Sequence, residues 1–192
     1  MKTIVFDLET TNFAPDWGII LCGSYMEYPN GEVKTVSIGD KRYRGRTLSD
    51  DSRVVGELIK VLADASLICA HNGAKFDRPF INARALHWGI DILDPRGTFI
   101  DPVWLARKHF SLKYNSLDNL ASFLGCKNKK TVVDGPTWVA AGIDRNAEAM
   151  AYVVEHCEKD VLVLRDLLGF LENAKVMPSK IMKLFDSWGS AR

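Results

Sequence analysis

Apolar and polar residues alternate from the first residues of the chain. TIVFD, at residues 3–7, has the period of two and the branched side chains that predict a β-strand. Two further runs of this kind, residues 17–28 and 31–40, meet at a Pro-Asn-Gly turn over 29–31, which favours an antiparallel hairpin. The basic and polar residues 41–49 predict a loop, so this part of the chain is expected to form a three-stranded meander.

Beyond this loop, apolar residues recur at the helical period between short apolar runs. The predicted elements, in chain order, are a helix over 49–65 with N-cap candidates Ser49, Asp50 and Asp51, a buried strand over 66–72, a helix over 75–89, a strand over 97–102, helices over 104–110 and 116–125, a mobile connection over 126–142, a long helix from about 145 to 171, and a short helix over 180–188. This order predicts an α/β fold in one domain over residues 1–192, with a mixed sheet (an antiparallel meander plus parallel strands) flanked by helices.

Composition narrows the classes of function. The formal net charge is +1, from 25 basic and 24 acidic residues, whereas a protein that coats nucleic acid by charge alone is usually more basic. The four cysteines form no CxxC pair, which disfavours a zinc knuckle. The sequence shows no signal peptide and no stretch near the roughly 20 apolar residues of a membrane span. We therefore expect a soluble, cytoplasmic protein without a membrane partner. A viral source is compatible with this expectation.

Two groups of basic residues lie in predicted loops, where they could follow a phosphate backbone. The alternative for each group is an ordinary solvated loop. Their members are Lys41, Arg42, Arg44 and Arg46 in the first group, and Lys127, Lys129 and Lys130 in the second.

Four acidic residues stand in settings that suit metal ligands. Asp7 and Glu9 are two apart on a predicted strand and therefore point to the same face, although the strand end could simply emerge into solvent. Asp77 follows a buried strand at a strand-to-helix corner, although it could merely start a helix. Asp160 lies four residues after His156 on the long helix, a pair that many helices carry on a solvated side. If the fold gathers these carboxylates, cations are needed to offset their burial.

FDLETT, HNGAKFD and HCEKD, in this order, resemble the three motifs of the DEDD superfamily of 3′–5′ exonucleases, which have the ribonuclease H-like fold. The resemblance runs from the first strand to the long helix and includes the connecting region GTFIDPVWLARKHF…NSLDNLASFLG. It implies that Asp7, Glu9, Asp77 and Asp160 hold two Mg²⁺ or Mn²⁺ ions, which would clamp the attacking water and the leaving 3′ oxygen.

The fifth residue of the family pattern departs from both of its branches. One branch has a tyrosine four residues before the last Asp, and the other has a histidine five residues before it. Here His156 is four residues before Asp160, with Glu155 at the other position. We expect His156 to orient or deprotonate the water, because a neutral imidazole suits this better than a phenol with a pKa of about 10.

Residues near the first two motifs are expected to bind the terminal nucleotide. The resemblance implies that Thr10 and Phe13 grip it, with Phe13 stacking on a base, although Phe13 could equally be a core residue. His71, Asn72 and Phe76 could shape the same pocket, although His71 could be a hydrogen-bonded histidine at a strand end.

The resemblance therefore favours a metal-dependent 3′–5′ exonuclease acting on a single-stranded or frayed end of DNA or RNA. A polymerase, or another replication or repair protein, would be a compatible partner. An endonuclease or resolvase with the same fold, and a non-catalytic nucleic-acid-binding module, are the alternatives.

Overall fold

A computed structural model describes residues 2–94, 98–129, 131–178 and 181. Within these ranges a five-stranded sheet has the strand order β3-β2-β1-β4-β5. The first three strands pair antiparallel, whereas β4 is parallel to β1 and β5 is parallel to β4. This arrangement confirms the predicted α/β fold with a mixed sheet. The strands are β1 Thr3–Thr10, β2 Ile20–Glu27, β3 Lys34–Ser37, β4 Leu67–Cys69 and β5 Thr98–Ile100.

The predicted helices occur in the predicted order. Side chains of Asp101, Ser116 and Asn146 accept hydrogen bonds from backbone N–H groups of the first helical turn, as N-caps do. The helix predicted over 180–188 lies outside the described residues except for Ile181. The described helices are α1 Ser52–Ala63, α2 Asp77–His87, α3 Pro102–His109, α4 Leu117–Leu124, α5 Gly135–Gly142 and α6 Ala147–Asn173. Compared with the prediction, the bounds are shorter for α1, α2 and α4 and shifted by about two residues for α3 and α6.

The prediction of a mobile connection over 126–142 is wrong for its second half, which contains α5. Asp134 caps this helix by accepting from Thr137 N at 2.9 Å, and Pro136 lies in its first turn, where a proline is tolerated. Gly135 and Pro136 suggested a loop in the sequence, yet here they begin a helix that packs against α6.

Strand β1 separates two hydrophobic cores. Ile4, Phe6 and Leu8 belong to a core that includes buried residues of α1 and α2. Val5 belongs to a second core, whose largest share comes from α6. Because side chains alternate across a strand, Asp7 and Glu9 lie on the same face as Val5 and are directed toward α6. Within the described ranges, no helix is both long and apolar enough to cross a bilayer.

Candidate metal-dependent active site

The carboxylates of the first motif lie at the end of β1, beneath α6. Asp7 pairs with Ser24 and Glu9 with Cys22 in the register with β2, and the register shifts between Glu9 and Thr10. The side chain of Glu9 is 12% exposed, so this strand end does not simply emerge into solvent. The predicted common face of the two acids is therefore confirmed.

Glu9, His156 and Asp160 form a compact cluster. His156 Nε2 lies 3.5 Å from Glu9 Oε1 and 3.9 Å from Asp160 Oδ2. His156 is 6% exposed and Asp160 is 2% exposed, so the alternative of a solvated helix face is wrong for this pair. When the imidazole is protonated, it forms an ion pair with each neighbouring carboxylate.

The other ring nitrogen of His156 is held by Thr131. Thr131 Oγ1 lies 2.6 Å from His156 Nδ1, a hydrogen bond that orients the imidazole so that Nε2 faces the acids. Thr131 lies in the segment predicted as a mobile connection, so sequence reasoning missed it. The Tyr152 hydroxyl also donates to the Val132 carbonyl oxygen at 3.1 Å, which fixes the same segment over α6.

Cys157 is, after Thr131, another residue of the site that sequence reasoning missed, and it lies beside Asp7. Its Sγ lies 3.4 Å from the carbonyl oxygen of Asp7 and 3.6 Å from Asp7 Oδ2. Burial, and then a hydrogen bond with Cys22, raise the pKa of the Cys157 thiol well above its ordinary value. The thiol therefore stays protonated and serves as a hydrogen-bond donor to Asp7. The only signal in the sequence was its place in the third motif, directly after His156.

Asp77 lies at the first turn of α2 and is turned back against β1. Its Oδ1 accepts a hydrogen bond from Leu8 N at 3.1 Å. This N–H is available because the parallel pairing of β1 with β4 ends at Val5 and Cys69. Burial raises the pKa of Asp77 to about 7, with a smaller contribution from the charge of Asp101. Asp77 therefore begins a helix, which was one of the two alternatives for this residue. It also lies close to the strand that carries Asp7 and Glu9.

Asp101 organises the loop that precedes Asp77. It accepts hydrogen bonds from Asn72 N at 3.0 Å and Ala74 N at 3.4 Å while capping α3 through Val103 N at 3.0 Å. Asn72 itself has a φ of 59°, a conformation that asparagine tolerates better than most residues. The sequence placed Asp101 in a strand predicted over 97–102, and nothing in the sequence indicated its role as a helix cap or its contact with residues 72–74.

Two residues predicted to bind the terminal nucleotide form an aromatic pair. Phe13 is 90% exposed, so its alternative assignment to the core is wrong. Its ring centroid lies 6.0 Å from that of Phe76, edge to face, and Phe76 is half-buried. Among the other predicted contacts, the Thr10 hydroxyl donates to the Asn12 carbonyl oxygen at 2.8 Å. His71 is half-buried after β4, and Asn72 is exposed.

A buried ion pair fixes the loop that carries Phe13. Asp51, which is 0% exposed, accepts from Arg84 Nη2 at 2.8 Å, Ile20 N at 2.8 Å and Trp88 Nε1 at 2.6 Å. Arg84 Nη1 also donates to the Pro15 carbonyl oxygen at 3.3 Å. Asp51 precedes α1, but its side chain makes no cap hydrogen bond because it is committed to these partners.

The donor set fits hard divalent cations. Ligand atoms of Glu9, His156 and Asp160 lie within 4.8 Å of one another, and so do those of Asp7, Glu9 and Cys157. Carboxylate oxygens are the ligands that Mg²⁺ and Mn²⁺ prefer, whereas the protonated Cys157 thiol is a poor ligand for them. Asp77 is in neither group, and its predicted role as a ligand stays a prediction.

The mixed sheet with a carboxylate cluster at the end of its central strand defines an α/β protein of the ribonuclease H type. A family model described as the RNase_H superfamily matches residues 4–171. The chain therefore belongs to the RNase H superfamily, which confirms the fold implied by the motif resemblance.

The similar proteins are DNA polymerases. The chain is 28% identical over 99 residues to a DNA polymerase of Methanocaldococcus jannaschii, covering 48% of this chain and 6% of the polymerase. It is 25% identical over 187 residues to the DNA polymerase III PolC-type of Ureaplasma parvum, covering 88% of this chain and 11% of that protein. The chain thus spans about a tenth or less of the length of these relatives.

A solved structure supports the fold. The family B DNA polymerase from the hyperthermophilic archaeon Pyrobaculum calidifontis superposes with a TM-score of 0.66, at 19% identity. The match covers 90% of this chain and 24% of that chain, and it is a likeness of fold.

Proposed function

We propose that this protein is a metal-dependent 3′–5′ exonuclease that hydrolyses the terminal phosphodiester bond of a DNA or RNA strand. The observation that carries the proposal is the buried cluster of Glu9, His156 and Asp160, with Asp7 on the same face of β1. Nucleic acid is the proposed substrate because the relatives are DNA polymerases. A polymerase is the proposed partner for the same reason.

Asp7, Glu9, Asp77 and Asp160 would hold two Mg²⁺ or Mn²⁺ ions. Such ions supply Lewis acidity at the phosphate and align the attacking water with the leaving 3′ oxygen. Cys157 holds the Asp7 carboxylate in place, and the Leu8 N–H does the same for Asp77.

His156 is the proposed proton acceptor. Its Nδ1 is fixed by the Thr131 hydroxyl, and its Nε2 is directed at Glu9 and Asp160. In this role Nε2 takes a proton from the water whose oxygen forms the new bond to phosphorus, while the bond from phosphorus to the 3′ oxygen breaks. The exposed Phe13, with Phe76 behind it, would stack on the terminal base.

The test is degradation of a 5′-labelled single strand with Mg²⁺, Mn²⁺ or EDTA. We expect stepwise shortening from the 3′ end with either ion and none with EDTA. Asp7→Asn, Glu9→Gln and Asp160→Asn should each reduce the rate to the EDTA background. Asp118→Asn is the matched control, because Asp118 is an exposed acid on α4.

A circular single strand separates this activity from internal cleavage. An exonuclease leaves the circle intact, whereas an endonuclease or resolvase linearises it. Cleavage of the circle, or unchanged turnover in the Asp7 and Asp160 variants, would refute the proposal. Parallel reactions on duplex DNA and on RNA identify the preferred strand.

A further inference from the structure

A cavity lies beside α6, and none of the residues that line it belongs to the cluster of Glu9, His156 and Asp160. It has a volume of about 860 Å³ and lies between the end of β3, the following loop and the first turns of α6. A volume of this size falls within the range of about 300–1,000 Å³ typical of small-molecule sites. The residues that α6 contributes, Met150 and Val154 among them, lie on a different side of the helix from His156 and Asp160.

Arginine side chains outnumber carboxylates among the residues that line this cavity. Arg44 and Arg46 line it, and within the described part of the chain neither forms an ion pair. Asp40 also lines the cavity, but Arg42 engages its carboxylate with Nε at 3.0 Å and Nη2 at 2.6 Å. The cavity therefore has an excess of positive charge.

Arg145 adds a third guanidinium group. Its Nη2 donates to the Leu48 carbonyl oxygen, and its Nε is buried without a hydrogen-bond partner among the described residues. Burial, followed by the nearby charge of Arg44, lowers the pKa of Arg145, and the charge of Asp51 opposes this lowering only in part. Two like charges held this close repel each other, and an anion between them would relieve the repulsion.

The loop that carries these arginines is held by Asp50. The Asp50 carboxylate is 8% exposed and accepts from Arg46 N at 2.8 Å and from the Ser52 hydroxyl at 2.6 Å. Gly45 packs against the same residue so closely that an added Cβ would lie 2.0 Å from the Asp50 carbonyl oxygen. The backbone that carries the exposed side chains of Arg44 and Arg46 is thus held in place at the cavity.

We propose that this cavity binds a nucleotide, with its phosphate on Arg44, Arg46 and Arg145 and its base against the apolar wall. Guanidinium groups suit phosphate because they donate in pairs to its oxygens. The wall includes Ile38, Leu48, Met150 and Val154, which suit the faces of a base. The nucleotide is either a free mononucleotide or one unit of a strand, and this site does not depend on the proposed nuclease activity.

The test measures binding in EDTA, so that no cleavage interferes. Calorimetry would use adenosine monophosphate, adenosine and inorganic phosphate, and fluorescence anisotropy would use a labelled oligothymidylate. We expect Arg44→Ala with Arg46→Ala to weaken the preferred ligand at least about tenfold, because each lost contact involves a charged group. If that ligand is the oligonucleotide, the slope of log affinity against log salt concentration should become shallower by about 0.7, the value for one phosphate contact of a single strand.

Two further variants make the result specific. Lys41→Ala removes one positive charge from the same loop, but Lys41 does not line the cavity, so affinity should be nearly unchanged. Ala151→Trp keeps all three arginines and places a bulky ring among the residues that line the cavity, so it should weaken binding. Tighter binding of the mononucleotide than of the oligonucleotide identifies a free nucleotide as the ligand, and the reverse identifies a strand.

Three outcomes would overturn the proposal. The first is equal affinity of the wild type and the double arginine variant for every probe. The second is adenosine binding as tightly as its monophosphate, which would exclude the phosphate contact. The third is inorganic phosphate binding as tightly as the nucleotide, which would exclude the base contact. A protein that binds the nucleotide in EDTA but lacks nuclease activity would refute only the proposed function.

Discussion

Replacing Arg84 by alanine should destabilise the protein strongly, because it leaves Asp51 charged and buried. The two side chains are 8% and 0% exposed, so water cannot replace the lost guanidinium. Asp51 loses Arg84 Nη2 at 2.8 Å and Nε at 3.1 Å and keeps only Ile20 N and Trp88 Nε1. Breaking a buried pair from one side typically costs about 3–5 kcal/mol, and we expect Arg84→Ala to fall in this range.

The assay is urea denaturation followed by circular dichroism, with an exposed ion pair as the control. Lys2 Nζ lies 2.7 Å from Asp64 Oδ2, a similar distance, but these side chains are 35% and 73% exposed. Lys2→Ala should therefore cost no more than about 1 kcal/mol. Combining Arg84→Met with Asp51→Leu should recover much of the stability, because neither charge then remains buried. An Arg84→Ala variant within about 1 kcal/mol of the wild type would refute this reasoning.

Three further predictions concern the candidate active site. The pKa of Asp77 is about 7 in the folded protein and ordinarily 3.8, so the metal-free folded state retains a proton that the unfolded chain releases. The free energy of unfolding should therefore fall by up to about 4 kcal/mol as the pH rises from about 4 to 7. Urea denaturation at a series of pH values measures this dependence, and Asp77→Asn should reduce it. Phe13→Ala should leave the melting temperature unchanged, because the ring is 90% exposed. The same variant should raise the KM for a single strand by at least about fivefold, and an unchanged KM would exclude stacking of Phe13 on a base. Thr131→Val keeps the shape of the side chain but removes the hydroxyl that contacts His156 Nδ1. The kcat should therefore fall, while the affinity for Mn²⁺ stays near that of the wild type. Equal kcat values for the variant and the wild type would show that this hydrogen bond does not orient the imidazole.

The sequence predicted the elements whose signals are local. The two-residue spacing of Asp7 and Glu9 fixed their common face, because alternation along a strand depends on nothing outside it. Helix α5 was missed because Gly135 and Pro136 are typical of loops, and the capping hydrogen bond from Thr137 N to Asp134 outweighs that tendency.

Partners far apart in the chain could not be predicted from one sequence. Asp51 was assigned to a helix cap, which is a local role, but its main partner Arg84 is 33 residues away and meets it only through the packing of α2 on α1. Thr131 reaches His156 across 25 residues for a similar reason. The contacts that support the candidate site join residues far apart in the chain and could not be predicted. Most of its acids lie in short motifs, which can be identified in the sequence.

The register of α6 decides which side chain can act beside Asp160. An α-helix turns about 100° per residue, so a residue four positions earlier lies only about 40° from Asp160 around the axis, whereas one five positions earlier lies about 140° away. Accordingly, His156 is buried beside Glu9, whereas Glu155 is exposed and pairs with Lys159 at 2.5 Å. The helix therefore directs a residue at the spacing of the tyrosine branch toward the acids, and here this position holds a histidine, the residue type of the other branch. Thr131 Oγ1, 2.6 Å from Nδ1, holds the second ring nitrogen of this histidine, a hydrogen bond that a tyrosine at this position could not make because its ring carries no nitrogen.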